Sequence, residues 1–242
     1  MNPRYPRSGL TLLSLLIPCM HVQAAPNLTV VELYTSEGCS SCPPAEEYLG
    51  ELAGRSDVLP LAFHVDYWDN LGWRDPYALP TSTARQRGYS ASLKLDTIFT
   101  PQVIVGGRAS LVGSDRHLIS ESLRAAQAAS VALTLTQEDG RLVISASPSS
   151  DDKPSDLLLV PFRRHVKSAI ARGENQGRTV DESNIVRELR VIGHTRGEAL
   201  QLQIPLSSLP KDATDVAVLA QRPRQGEIVG AVRLALDSSR HF

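Results

Sequence analysis

The chain has 242 residues, 42% of them hydrophobic, enough for one large or two small packed domains. Its 25 basic and 26 acidic residues leave a net charge of −1, which argues against a nucleic-acid binder or a protein held on an anionic membrane surface. Three cysteines are too few for a disulfide scaffold, so the core has to be apolar.

Arg4 and Arg7, the apolar run Leu10–Met20 and the small residues before Ala25 read as a secretory signal peptide over residues 1–24. The run is too short to span a membrane well, and no later stretch is long enough. Pro18 before Cys19, and the position of Cys19 short of Gln23–Ala24, argue against lipidation. A periplasmic or secreted protein is expected, and its mature chain keeps only Cys39 and Cys42.

Leu28–Tyr34 is apolar on both faces, as in a buried central strand. A short link, Thr35–Gly38, leads to Cys39 and Cys42, then to Pro43 and Pro44 in the first turn of a helix. Ala45, Leu49, Leu52 and Ala53 form its apolar stripe, and Gly54 stops it. Val58–Val65 is the next strand, parallel to the first.

The C-x-x-C spacing lets both sulfurs meet across one turn of backbone, so Cys42 can resolve a mixed disulfide formed at Cys39. Unpaired N–H groups at the helix start favour a thiolate at Cys39, the more exposed thiol in this reading. Other readings stand beside it. The pair could be a purely structural disulfide, two inert buried thiols, or part of a metal site, with His64 and Asp66 at hand beside the cysteine loop. Zinc requires four ligands, and Asp66 and Asp69 are equally suited to capping turns. No metal and no cofactor are expected.

Asp66–Tyr77 holds both tryptophans, Trp68 and Trp73, in a stretch too polar for regular structure. It is either a loop pinned by its aromatics or a substrate-facing lip beside the cysteines. Thr81–Leu93 reads as a helix interrupted by Gly88. Thr100-Pro101 precedes a hairpin, Val103–Val105 and Ser110–Val112, turning at Gly106-Gly107. Asp115 caps a last helix carrying Leu118, Ile119, Leu123 and Ala126.

Past Ala129 the period becomes that of strands. Val131–Thr136, Leu142–Ser147, Leu157–Phe162, Val166–Arg172, Ile185–Ile192, Leu200–Ile204, Val216–Gln221 and Ile228–Leu236 suggest an antiparallel sandwich or barrel. Ser183–Leu189 could be helical instead. A long polar loop, Gly173–Asn184, interrupts this part. The chain thus reads as a β-α-β-α-β-β-α unit over 27–129 and an all-β unit over 130–236, with a junction too plain for a free linker.

The first unit resembles the thioredoxin fold in its short form, through Cys39, Cys42 and Thr100-Pro101. That resemblance implies a cis Pro101 facing the cysteines. The whole mature chain resembles the bacterial DUF1223 family of secreted, thioredoxin-like proteins, through ELYTSEGCSSCPPAE at 32–46, HVDYWDNLGWRDPY at 64–77, TPQVIVGG at 100–107 and GENQGRT at 173–179. Ser40-Ser41 departs from the dipeptides of the familiar thioredoxin-like enzymes, and no histidine or arginine stands between the cysteines.

The expected function is exported thiol–disulfide exchange. Cys39 is the attacking thiol, Cys42 the resolving thiol and Cys39–Cys42 the disulfide, with Pro101 shaping the cleft. Thr100, Trp68, Trp73, Glu174 and Arg178 are the candidate substrate-binding residues. The expected partner is a protein or a small thiol or disulfide, served by a membrane-bound or soluble redox partner. A non-catalytic interaction module with a stapled loop is the alternative.

Overall fold

The structure is a computed structural model that describes residues 28–196 and 198–237. The expected signal peptide, with Cys19, lies outside the described residues, as does His241.

Among the described residues there are two sheets, three α-helices and one short 3-10 turn, Leu206–Ser208. The strands in chain order begin with β1 (Thr29–Thr35), β2 (Val58–His64), β3 (Gln102–Val105) and β4 (Ala109–Val112). Between them come α1 (Pro43–Ala53) and α2 (Pro80–Ser92), and after them α3 (Arg116–Arg124). The remaining strands are β5 (Leu133–Glu138), β6 (Arg141–Ala146), β7 (Ser155–Ala169), β8 (Thr179–Val186), β9 (Arg190–Thr195), β10 (Leu200–Pro205), β11 (Asp215–Gln221) and β12 (Ile228–Ala235). A nine-stranded mixed sheet runs β12-β11-β7-β8-β2-β1-β3-β4, with β9 added on β7, and β10-β6-β5 form a second sheet. Among the described residues no helix is long and apolar enough to cross a membrane.

β1 pairs parallel with β2 and antiparallel with β3. Its alternate residues enter two cores: Val31 and Leu33 pack with Ala45, Leu49 and Leu52 of α1 and Ile119 of α3. Val30 and Tyr34 pack on the other face with Leu59, Leu61, Phe63 and Tyr89. A third core lies between the two sheets, where Leu142 and Ile144 meet Leu157, Leu159, Val216 and Val218. The large sheet therefore continues across residue 129, since β8 lies beside β2.

Several elements differ from the sequence reading. α2 runs unbroken through Gly88, because the Gln225 side chain lies where a β-carbon would stand and donates from Nε2 to the Arg85 carbonyl at 2.7 Å. A single β7 replaces the two strands expected over 157–172. Ser183–Leu189 is not helical: β8 runs to Val186, and β9 begins at Arg190. The long pairing with β7 decides this, since local preference is weak against a formed ladder.

Arg85 ties α2 to β1 and β11. Its guanidinium bonds Glu32 at 2.8 and 2.7 Å and reaches Gln221 Oε1 at 3.1 Å. Glu32 also accepts from the hydroxyls of Tyr34 and Tyr89, each at 2.9 Å. Both charges are buried, so each depends on the other for solvation.

Candidate functional site

β1 ends at Thr35 and delivers the chain to Cys39 and Cys42, which are joined in a disulfide with Cα atoms 5.5 Å apart. Cys42 is the N-cap residue of α1, and Pro43 and Pro44 fill the first helical positions, where a missing N–H leaves nothing unpaired. Ser41 Oγ lies 3.3 Å from Cys39 Sγ and 3.5 Å from the Thr100 carbonyl oxygen. The Thr100–Pro101 bond is cis. The Ser41 contact places Thr100 across from the cysteine loop.

The sequence reading made Cys39 the exposed thiol. Instead both cysteines are 0% exposed. Two loops account for this. Trp68 lies against Gly38, its Cβ 3.3 Å from where a glycine substituent would stand, and its Nε1 donates to Thr100 Oγ1 at 2.8 Å. The connection between β7 and β8 comes in from the other side. Asn175, itself buried, donates from Nδ2 to the carbonyl oxygens of Glu37 and Cys39, both at 2.9 Å. Glu174 accepts from the Ser40 N–H at 3.2 Å. Hydrogen bonds from Ser40, side chain and then main chain, hold the Glu174 carboxyl below its usual value. Gly173, at φ +79°, lets the chain pass Trp73, whose Cβ would be 3.0 Å from any side chain there.

The structure thus brings the candidates Trp68, Trp73, Thr100 and Glu174 to the disulfide loop. Arg178 stands one step back: its Nη1 donates to Asn175 Oδ1 at 3.1 Å and so turns the Asn175 amide with its NH2 toward Cys39.

Beneath the disulfide loop lies a buried cluster that the sequence reading largely missed. His64 Nδ1 is 2.7 Å from Asp75 Oδ2, and His64 Nε2 is 3.5 Å from Glu182 Oε1. Asp75 Oδ2 also accepts from the Glu37 N–H at 2.9 Å, and Trp73 Nε1 donates to Glu37 Oε2 at 2.6 Å. Glu46 accepts from Thr35 Oγ1 at 2.6 Å, and Glu182 from Ser168 Oγ at 2.8 Å.

Burial raises the carboxyls of Glu37 and Glu46 and pushes Glu182 up to about 8. Burial works to lower His64, but the Asp75 carboxylate, then Glu182 and Glu46, outweigh it and push the imidazole up to about 9. Asp75 would be raised by burial, yet the His64 charge and three hydrogen-bond donors hold it below its usual value. The cluster therefore favours an imidazolium–carboxylate pair between His64 and Asp75 and shifts Glu182 toward its protonated form.

Two signals for this cluster were present in the chain. Glu46 falls three residues before Leu49, on the apolar stripe of α1, and Glu182 alternates in step with Val180 and Asn184, which face inward. The metal reading gains no ligand set. His64 is engaged by Asp75 and Asp66 by Thr83, and among the described residues no group of three or more His, Cys, Asp or Glu is arranged to hold a metal ion.

A search of curated proteins finds no match. Among solved structures, the chain is similar to an X-ray crystal structure of a protein from Agrobacterium tumefaciens, at 30% identity and a TM-score of 0.78, covering 90% of this chain and 98% of that one. The family model described as "Protein of unknown function (DUF1223)" matches residues 30–221. With that span matched, the chain belongs to the DUF1223 family.

Proposed function

We propose that this protein is an exported thiol–disulfide oxidoreductase, in which residues 27–129 form a thioredoxin-like unit and 130–236 a β unit that walls its cleft. One observation carries the reading. A three-residue-separated disulfide caps the start of α1, directly after the central strand β1, and lies over titratable groups that hold exchangeable protons. The strand order β2-β1-β3-β4, with β1 and β2 parallel, supports the thioredoxin-like part.

In the reduced protein the Cys39 thiolate attacks one sulfur of a substrate disulfide and expels the other as a thiolate. Cys42, having lost its proton, then attacks Cys39 Sγ, and the S–S bond to the substrate breaks. The pair leaves oxidised, and the substrate leaves as two thiols. The reverse sequence oxidises a dithiol. Trp68, Trp73 and Thr100 supply an apolar wall with one hydroxyl, and Glu174 and Arg178 supply fixed polar groups, suited to a peptide or a small thiol.

The burial of both cysteines favours one second reading, a stapled loop in a non-catalytic interaction module. A Cys42→Ser variant separates the two. Incubated with glutathione disulfide, it should accumulate one glutathione on Cys39, while the reduced wild type passes on to the internal disulfide. Absence of any adduct on Cys39 at equilibrium favours the stapled loop.

A further inference from the structure

The hairpin of β7 and β8 has an inner and an outer part. The inner part is built into the molecule: Leu157–Phe162 and Val186 contribute side chains to two cores. The outer part, residues 165–183, contributes to none of the three cores, although Val166, Ile170 and Val180 are buried. β2 pairs with β8 through one bridge, Ala62–Ile185. Next to that bridge Asn184 takes φ +53°, and its pair with Arg164 is missing from a β7–β8 ladder whose register is otherwise unchanged. Beyond this break the arm crosses α1, with Ser183 against Gly50, and its tip lands on the disulfide loop.

The arm buries Val166, Ile170 and Val180 outside the three cores, and its tip is fastened by polar contacts: Asn175 on Glu37 and Cys39 and Glu174 on Ser40, with Glu182 Oε1 3.5 Å from His64 Nε2. A segment held this way opens at a lower free energy than the whole fold. Both cysteines are 0% exposed beneath it, yet exchange requires a thiolate to reach a disulfide sulfur.

We propose that residues 165–183 form a gate hinged at Asn184 over Cys39–Cys42, that exchange requires it to lift, and that Glu182 against His64 is its inner latch. The purpose of the gate rests on the redox reading, but its existence does not.

The latch makes the gate sensitive to pH. Glu182 is faced by His64 from β2, Glu46 from α1, Glu37 from the disulfide loop and the Ser168 hydroxyl from β7. Lifting the arm returns the Glu182 carboxyl to water, where it ionises near 4.5 instead of about 8, and takes one carboxyl away from His64. The closed gate therefore binds more protons than the open one across this window, and rising pH opens it. Each proton so released changes the opening constant by up to about tenfold per pH unit.

Hydrogen exchange of the oxidised mature chain, run beside the rate of disulfide reduction by a water-soluble phosphine at pH 5, 7 and 8, tests this. After correction for intrinsic exchange, opening of the 170–183 amides and reduction should rise together, by on the order of tenfold or more from pH 5 to 8. Asn175→Ala should raise both at pH 5 by roughly five- to thirtyfold, the equivalent of one to two lost hydrogen bonds. Glu174→Gln, a change at an exposed contact, should move both in the same direction by less. Glu182→Gln should remove most of the pH dependence. Arm amides that exchange only with global unfolding, or a reduction rate unchanged in both Asn175→Ala and Glu174→Gln, would overturn the gate. A disulfide that resists physiological thiols while these rates stay coupled would remove the redox reading and leave the gate standing.

Discussion

Asn175 donates two hydrogen bonds across 138 and 136 positions of chain, from one amide nitrogen to the carbonyl oxygens of Glu37 and Cys39. Those oxygens belong to the loop that carries the disulfide, so the β7–β8 connection holds that loop by its backbone. Arg178 fixes which way the amide faces.

Asn175→Asp preserves the shape of the side chain but replaces the donor with an acceptor facing two carbonyl oxygens. It should lower stability by about 1–3 kcal/mol, and by more than Asn175→Ala, which only removes the donor. Urea unfolding of the oxidised chain measures this. An Asp variant as stable as the wild type would show that the contact holds nothing in place.

Arg85→Met leaves Glu32 buried without its cation, among the hydroxyls of Tyr34 and Tyr89. The loss should be roughly 3–5 kcal/mol. Adding Glu32→Leu should recover a large part of it, because the uncompensated charge is then gone. If the double variant is less stable than Arg85→Met alone, the ion pair is not the source of the loss.

The stability of the fold should fall as pH rises. His64 goes from an ordinary value of 6.5 to about 9, and Glu182 from 4.5 to about 8. Both folded values are raised, so their contribution is fully present below the unfolded values and is lost as pH climbs through 8 and 9. The slope is up to about 1.4 kcal/mol per pH unit for each proton. Asp75, held below 3.8, acts in the opposite sense and costs stability only as pH falls through the acid range. Thermal unfolding should give a lower Tm at pH 9 than at pH 5.5, with a shallower slope in Glu182→Gln. A Tm that rises over this interval contradicts the assignment.

The local elements of the N-terminal half were readable because period and punctuation agree there. Pro43, Gly54, Gly106-Gly107 and the Asp115 cap fall where the helices and hairpin begin or end. The spacing of Cys39 and Cys42 set both at the start of α1, where they form the disulfide. What the chain did not disclose depends on distant pairing. β7 absorbs two expected strands because β8, β9 and β11 all hydrogen-bond along its length. The sequence reading set Glu174 and Arg178 beside the cysteines but left Cys39 open, and its burial under Asn175 follows only once β8 is laid beside β2. Alternation along β8 turns Glu182 inward, but no local pattern names its neighbour His64 on another strand, and Asp75 lies in an irregular loop with no period to mark it.

The reduction potential of Cys39–Cys42 tests the central claim most directly. The purified mature chain is equilibrated in glutathione buffers of graded ratio, quenched with acid and alkylated, and the reduced fraction is read by mass. The account predicts a two-electron transition within the range of exchange proteins, roughly −120 to −270 mV. A pair still fully oxidised at about −300 mV, the region of structural disulfides, would contradict it.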